Sequence, residues 1–418
     1  MKPTITIIGG GISGLTAAVY LHQKNYKVQI LEATDRVGGR IKTDCFEGFR
    51  VDRGFQVLLT EYPETKALLD YNKLNLKRFL SGATILYDGG QFYIADPFRR
   101  PSALFSTLFA PVGSLKDKFN TFLLKNKLIR ISNSDIFKQT ERDTYSQLKK
   151  YGFSQKMIDR FYKPFFSGIF LENELKTSSN MFDFVMKLFS TGDAAIPELG
   201  MEEIPKQLAA MLPENSIYCH HKVTSIVDNT IHCENGALFQ TDKIIIATEA
   251  ISIAANYIKK QKKQFHQVTN VYFEAKIAPN SKAIVVLNAA SNKKWANNLT
   301  VMSNVSNEYA PKGKVLLSVS YNGIPEIDDA SLAENMKAEL KQWYGKQVDD
   351  WKLLKTYRIN YALPNQDKVS NEVSNSELQI SENLFICGDH LMNGSINAAM
   401  KSGRLVAELI ASQTNIKN

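Results

Sequence analysis

Ile7-Ile8-Gly9-Gly10-Gly11-Ile12-Ser13-Gly14 is the stretch on which the reading of this chain turns. It follows a β-rich run, Thr4 to Ile8, and leads into residues 13 to about 24, where Leu15, Ala18, Val19 and Ile12 share one helical face. A second β-rich run, Lys27 to Leu31, comes next and ends at the acidic Glu32. Together these make a βαβ unit of about 30 residues. In such a unit Gly9 permits the sharp bend, Gly11 lets backbone approach a pyrophosphate, and Gly14 lets helix and strand pack closely. Ser13, at the helix start, joins the expected contacts, and Glu32 is placed to hold ribose hydroxyls. Glycine turns also occur as plain structural loops. Here the strand, the helix and the acidic residue all stand where a dinucleotide needs them.

The chain continues Glu32-Ala33-Thr34-Asp35-Arg36-Val37-Gly38-Gly39-Arg40, a second glycine pair between two arginines. Paired glycines bring backbone amides close to a long ligand, and an adjacent arginine counters phosphate charge. At this point the sequence resembles the superfamily of FAD-dependent amine oxidases, protoporphyrinogen oxidases and phytoene (carotenoid) desaturases. The resemblance implies FAD contacts at Glu32, Ala33, Arg36, Gly38, Gly39 and Arg40; a solvated arginine turn is the alternative.

The far end supplies matching motifs. Asn383-Leu384-Phe385-Ile386-Cys387-Gly388-Asp389 reads as an apolar strand ending in Gly-Asp, and the stretch from Gly394-Ser395-Ile396-Asn397 to Gly403 reads as the start of the last helix. Both resemble the superfamily's closing flavin motif. The resemblance implies that Gly388 and Asp389 meet the ribityl chain and that amides around Ser395, Ile396 and Asn397 face the pyrimidine edge. A helix start suits the negative charge of a reduced flavin there. A buried strand with an amphipathic helix is the plainer reading. Val51-Asp52-Arg53-Gly54-Phe55-Gln56, continuing to Tyr62-Pro63, is similar to the segment of plant-type phytoene desaturases that passes the flavin, which adds Gly54 and Phe55. The hairpin-like 222–226 resembles the stretch whose residue at Val223 meets adenine through its backbone. Gly200-Met201 resembles the turn that re-enters the FAD domain.

With 418 residues, 44% of them hydrophobic and 22% charged, the chain can fill the cores of two connected domains. The expected fold is α/β: a Rossmann-like FAD-binding domain of the glutathione-reductase type (1–80, 200–252, 376–418), interleaved with a substrate domain of mixed β-sheet and helical cap (81–199, 253–375). Within the latter, 83–94 reads as a hairpin around Asp88-Gly89-Gly90. Residues 115–190 read as a helical tract with starts at Ser134-Asp135 and Ser154, 331–344 as a helix, and 267–273, 283–287, 314–320 and 351–358 as strands.

No apolar run approaches the ~20 residues of a membrane span, and Met1-Lys2-Pro3 leads straight into the nucleotide unit, so a cytoplasmic protein is expected. Cys45, Cys219, Cys233 and Cys387 show no paired spacing, and with the six histidines they form no metal signature, so no metal is expected. No cysteine lies between Cys233 and Cys387, so the FAD is expected to be non-covalent. The net charge of +9 includes a cluster at Lys259, Lys260, Lys262 and Lys263 beside a predicted helix end, but no nucleic-acid motif accompanies it. Residues 97–118 mix Phe98, Phe105, Phe109 and neighbouring leucines with Arg99, Arg100, Lys116 and Lys118. That composition suits either a peripheral contact at the inner membrane surface or a helix packed on the substrate domain.

The expected activity is hydride transfer from an apolar or conjugated small molecule to flavin N5, by a desaturase, dehydrogenase, oxidase or isomerase. Oxygen, a quinone or another acceptor would then reoxidise the flavin. The flavin carries the redox step, and no Ser-His-Asp or paired-carboxylate set is evident. The aromatic tract 161–171 suits either an apolar cavity or core. Val268-Thr269-Asn270-Val271-Tyr272-Phe273 resembles the desaturase substrate-domain strand; amine oxidases usually carry a lysine there, and Asn270 occupies that position. Asn270 and Gln56 are the candidate catalytic residues. Arg53 is a weaker candidate near the ring, and His390 stands as a proton carrier or a plain loop histidine. The alternatives are an amine or amino-acid oxidase producing H2O2 and a non-catalytic FAD-binding protein.

Overall fold

Five short, mostly apolar runs become neighbouring strands of one parallel sheet whose centre is buried. The computed structural model describes residues 2–97, 99–249, 253 and 264–416. In the sheet the order is Ile217–Tyr218, Lys27–Leu31, Thr4–Ile8, Lys243–Ile246 and Leu384–Ile386, each pair parallel. Ile7 stands opposite Ile30 on one side and Ile245 on the other, and Ile245 stands opposite Phe385; all four are fully buried. Strands from the two ends of the chain are thus separated by a single strand. The helix Ile12–Gln23 follows the glycine turn, and the terminal helix Ile396–Ile416 packs against it. The two meet at Gly403, where a Cβ would run into the Ser13 carbonyl oxygen.

The second sheet has seven strands in the order Lys352–Pro364, Phe265–Ala275, Val315–Asn322, Asn298–Val301, Val285–Asn288, Gly82–Tyr87 and Gly90–Ala95. All pairs are antiparallel except Val285–Asn288 with Gly82–Tyr87. The helix Asp329–Tyr344 covers one face, its Leu332, Met336 and Leu340 packing on Val271, Phe273, Leu317 and Val319. By strand alternation the opposite face carries Asn270, Tyr272, Ser318 and Ser320.

The helical tract is broken into short helices around a core of rings. Tyr162, Phe166, Phe170 and Phe182 are fully buried, and Phe166 lies 4.7 Å from Phe182 between ring centroids. The expected start at Ser134-Asp135 is displaced: Ser132 is the cap, accepting from the Asp135 N–H at 3.0 Å. The reason is spacing, since a capping serine needs a partner three residues on. Ser154 caps as expected. One π turn, Ile158–Tyr162, interrupts the tract. After the helix Ser179–Thr191, the strand Ala194–Ile196 pairs with both Leu58–Leu59 and Lys77–Arg78. The lysine cluster at 259–263 lies outside the described residues.

Asp183 sits in the ring-lined core, 1% exposed, accepting from the Tyr151 hydroxyl, and burial pushes its carboxyl up to about 6 from 3.8. Between those values the folded chain holds a proton that the unfolded chain has lost, so stability at this site is lost as pH rises from about 4 to 6. Asp183→Asn keeps an acceptor for Tyr151 without the buried charge. The variant should match the parent near pH 4 and melt higher at pH 7, by up to about 3 kcal/mol of stability. Thermal melts across that window check it; a constant difference would refute it.

Candidate cofactor and substrate site

The glycine turn is built by backbone contacts that only glycine tolerates. Gly9 has φ +108° and donates its N–H to the Leu31 carbonyl at 2.8 Å. The second glycine pair lies on the first: Gly38 donates to the Gly10 carbonyl at 2.8 Å, and a Cβ on Gly39 would fall 3.2 Å from the Gly11 Cα. The space beside Gly11 stays open, its nearest neighbour 4.0 Å from where a Cβ would stand. Glu32 is buried at the edge of this turn, accepting from the Gly10 N–H at 2.8 Å and from the Thr34 N–H at 2.9 Å. Lys42, which the motif reading missed, is buried beside it and donates to the Thr34 hydroxyl at 2.7 Å. Burial pushes the Lys42 ammonium pKa down, against the attraction of Glu32. Ala33 is exposed next to Glu32. The strand starting at Val223 is brought alongside by His221, whose N–H donates to the Glu32 carbonyl at 2.8 Å.

Arg36 is engaged in ion pairs within the chain. Its guanidinium is spent on three carboxylates, Glu202 at 2.5 Å, Asp44 at 2.7 Å and Asp35 at 2.8 Å. Arg53 is committed to Asp44 in the same way, at 2.9 Å. Burial opposes ionisation of Asp44, but Arg53, Tyr357 and Arg36 hold its carboxyl well below the usual range. These pairs join the loop after Glu32 to the Gly200-Met201 turn, where the Met201 N–H donates to Asp52 at 3.0 Å. Burial pushes the Asp52 carboxyl up to about 6 despite donors from Thr43 and Tyr309. Tyr272, on the second sheet, donates to the Asp52 carbonyl at 2.9 Å and clamps that sheet to this joint.

Arg40 reaches the other end of the chain. Its Nη2 lies 2.6 Å from the Asp389 carboxylate and its Nη1 donates to the Ala362 carbonyl at 3.2 Å. Asp389 is buried, while 37% of the Arg40 side chain is accessible. Gln56 donates to the Arg40 carbonyl at 3.0 Å, while its buried Oε1 has no hydrogen-bond partner among the described residues. Gly54 has φ +98°, and a Cβ there would meet Ile359 at 2.9 Å; Phe55 packs edge-on against Phe79.

Around the terminal motif the Gly388 N–H donates to the Ser402 hydroxyl at 3.0 Å, and Ser395 Oγ accepts from the Ala398 N–H at 3.0 Å. The Ser395 amide donates to the Asn393 carbonyl at 2.7 Å. Ile396 opens the helix. The Asn397 side chain accepts from the Glu64 N–H at 3.0 Å, and Arg404 forks onto the Glu64 carboxylate at 2.8 and 2.9 Å. His390 is buried, its ring filling the space beside Gly388.

Asn270 is fully buried; its Oδ1 accepts from the Ser318 hydroxyl at 3.1 Å, and its Nδ2 has no partner among the described residues. Directly opposed residues of antiparallel strands share a face, which places Ser320, Asn298, Ser318 and Thr300 with Asn270. All are buried, and Ser320 Oγ, Asn298 Oδ1 and Thr300 Oγ1 also lack partners. This face is neutral and polar, and Gly168 brings the aromatic helix Lys163–Phe170 against Asn298.

The residues present fit an extended dinucleotide: a glycine cradle with open space, a buried acid at its edge, and an accessible arginine paired to the carboxylate from the far end. Comparison with known proteins agrees. The model of the family described as flavin containing amine oxidoreductase matches residues 12–411. Polyamine oxidase 5 of Oryza sativa subsp. japonica is 27% identical over 276 residues, 62% of this chain and 53% of that protein. Protoporphyrinogen oxidase 2 of Arabidopsis thaliana is 25% identical over 166 residues, 39% of this chain and 32% of that protein. The chain thus spans about half the length, or less, of these curated relatives. Among solved structures, an oxidoreductase from Methanosarcina mazei covers 97% of this chain, which covers 100% of it, with a TM-score of 0.74 at 16% identity, a likeness of fold. With the family match running from the helix that follows the first glycine turn, through the Gly38-Gly39 pair, to beyond the closing Gly-Asp, the chain belongs to the flavin containing amine oxidoreductase family.

Proposed function

We propose that this protein is an FAD-dependent oxidoreductase that removes hydride from an apolar or conjugated neutral small molecule. The observation that carries the reading is the Arg40–Asp389 pair, which closes the two ends of the chain around one site. Bound FAD supplies the hydride acceptor at N5. Glu32 holds the adenosine ribose, the Gly9–Gly14 turn leaves its open side to the pyrophosphate, and Arg40 and Asp389 fix the ribityl segment. Cys387, the residue before Gly388, is sealed in the core, and burial pushes its thiol pKa up, which supports non-covalent retention. Strand membership supports the proposed division into an FAD domain of 1–80, 200–252 and 376–418 and a substrate domain of 81–199 and 253–375. Asn270 and Gln56 each turn one unpartnered polar atom into buried space, and act as orienting groups rather than as acid or base.

Amine oxidation is the second reading, favoured by the family's name and by the polyamine oxidase among the relatives. The hydride donor in that chemistry is the neutral amine, which calls for an aromatic pair flanking the substrate. The face around Asn270 carries Asn and hydroxyl groups instead. Anaerobic titration of the holoprotein separates the readings: an apolar alcohol or carotenoid precursor should bleach the yellow absorbance. Bleaching by polyamines alone, with H2O2 formed on admitting oxygen, would move the assignment to amine oxidation. A flavin bleached by no donor in either panel would sink the enzymatic proposal.

A further inference from the structure

One surface outside the sites above is built in a way that its own packing does not explain. The helix Leu104–Phe109, Leu-Phe-Ser-Thr-Leu-Phe, buries none of its residues; Phe105 is 71% and Phe109 78% exposed. The neighbouring helix Leu115–Arg130 has two apolar faces. Leu124 and Leu128 point into the core, while Leu115, Phe119, Phe122 and Leu123, spaced i, i+4, i+7 and i+8, form an exposed stripe on the other side. At 100° per residue, Lys118 and Lys125 border that stripe on one side and Lys116 and Lys127 on the other. The Lys118 ammonium donates to the Leu108 and Ala110 carbonyls, which ties both helices into one platform.

Charge selects the occupant. Residues 97–132 hold seven lysines and arginines against one acid, Asp117; Arg99 and Lys125 pair with Asp193 and Asp96 outside that stretch, which leaves Arg100, Lys116, Lys118, Lys127 and Arg130 as the excess. Asp117 is 1% exposed and turned inward to cap its helix at Ser114 and to bind Ser154. Exposed phenylalanines in a cationic surround match the boundary of an anionic bilayer, where rings enter the acyl edge and lysine stems snorkel to the headgroups. Both helices are too short to span, and no described helix is long and apolar enough to cross a membrane. We propose that the outer face of helices Leu104–Phe109 and Leu115–Arg130 docks the protein on an anionic lipid surface.

The test is co-sedimentation of the full-length holoprotein with vesicles of phosphatidylcholine alone or mixed with phosphatidylglycerol. The parent should pellet with the anionic vesicles and bind neutral ones roughly tenfold more weakly. Phe105→Ser/Phe109→Ser/Phe119→Ser should lose roughly tenfold or more of the anionic binding while keeping the parent's FAD content and melting temperature. Lys116→Glu/Lys127→Glu should lose the preference for anionic vesicles. A parent that pellets with neither vesicle, or a phenylalanine variant that binds like the parent, would overturn the proposal. So would a parent dimer that the same three substitutions dissociate, which would make a second copy the occupant.

Discussion

Gly14→Ala is expected to purify without FAD and to melt well below the parent. A Cβ at this position would drive into the Gly9 carbonyl oxygen, a backbone atom held by the turn itself. It would also press on Ala247 Cβ at 3.1 Å and Ile7 Cγ2 at 3.2 Å. Ile7 lies in the buried strand Thr4–Ile8 and Ala247 directly follows the strand Lys243–Ile246, so neither can swing aside as the end of a flexible side chain would. Overpacking a tight core typically costs about 1–3 kcal/mol, and here relief requires the start of helix Ile12–Gln23 to move off the strand. That movement pulls the helix amides away from the pyrophosphate they are placed to bind. The comparison variant is Gly236→Asn, a surface turn with φ +84° and open space around it, where asparagine tolerates the left-handed backbone. FAD per protein after gel filtration and a thermal melt read both effects. Retention equal to Gly236→Asn would refute the assignment of the turn.

The sheet that carries this turn was legible because its signals are local. Short β-branched runs, glycines at fixed offsets and an acid behind the second strand can be read without knowing the rest of the fold. The closing Gly388-Asp389 motif was legible for the same reason. The ion pairs of Arg36 were not legible: its partners Asp44 and Glu202 lie 8 and 166 residues away, and no local pattern separates a paired guanidinium from a free one. The polar face around Asn270 was hidden by strand alternation. Ser318-Val319-Ser320 reads as a strand with one wet side, whereas both sides are covered, by helix Asp329–Tyr344 and by the aromatic helix Lys163–Phe170. The strand Ala194–Ile196 was missed because three residues carry no periodicity; its identity comes from its two partners. Residues 104–123 show the converse limit. Helical periodicity places apolar side chains on a face but cannot say whether that face is packed, and only the fold leaves this one uncovered.

Arg40→Met is expected to lose FAD and stability together, and the two losses can be separated. Removing the guanidinium leaves the Asp389 carboxylate buried without its partner at 2.6 Å and orphans the Ala362 carbonyl. Breaking a fully buried pair costs about 3–5 kcal/mol, but the accessible side of Arg40 lets water reach the vacated carboxylate, so about 2 kcal/mol is expected. Retention of FAD should fall roughly 10- to 100-fold, the loss of one or two charge-assisted contacts. Arg40→Lys should recover part of each, since an ammonium restores the charge without the fork that serves Asp389 and Ala362 at once. The decisive variant is Arg40→Met/Asp389→Asn. With both charges gone, the melting temperature should return most of the way to the parent's while FAD retention stays low. If FAD returns along with stability, the pair is only a strut between the chain ends, and the proposed contact with the cofactor fails. If neither returns, the Asp389 carboxylate is needed by the fold for its own sake, and the stability loss of Arg40→Met cannot be ascribed to an unpaired charge.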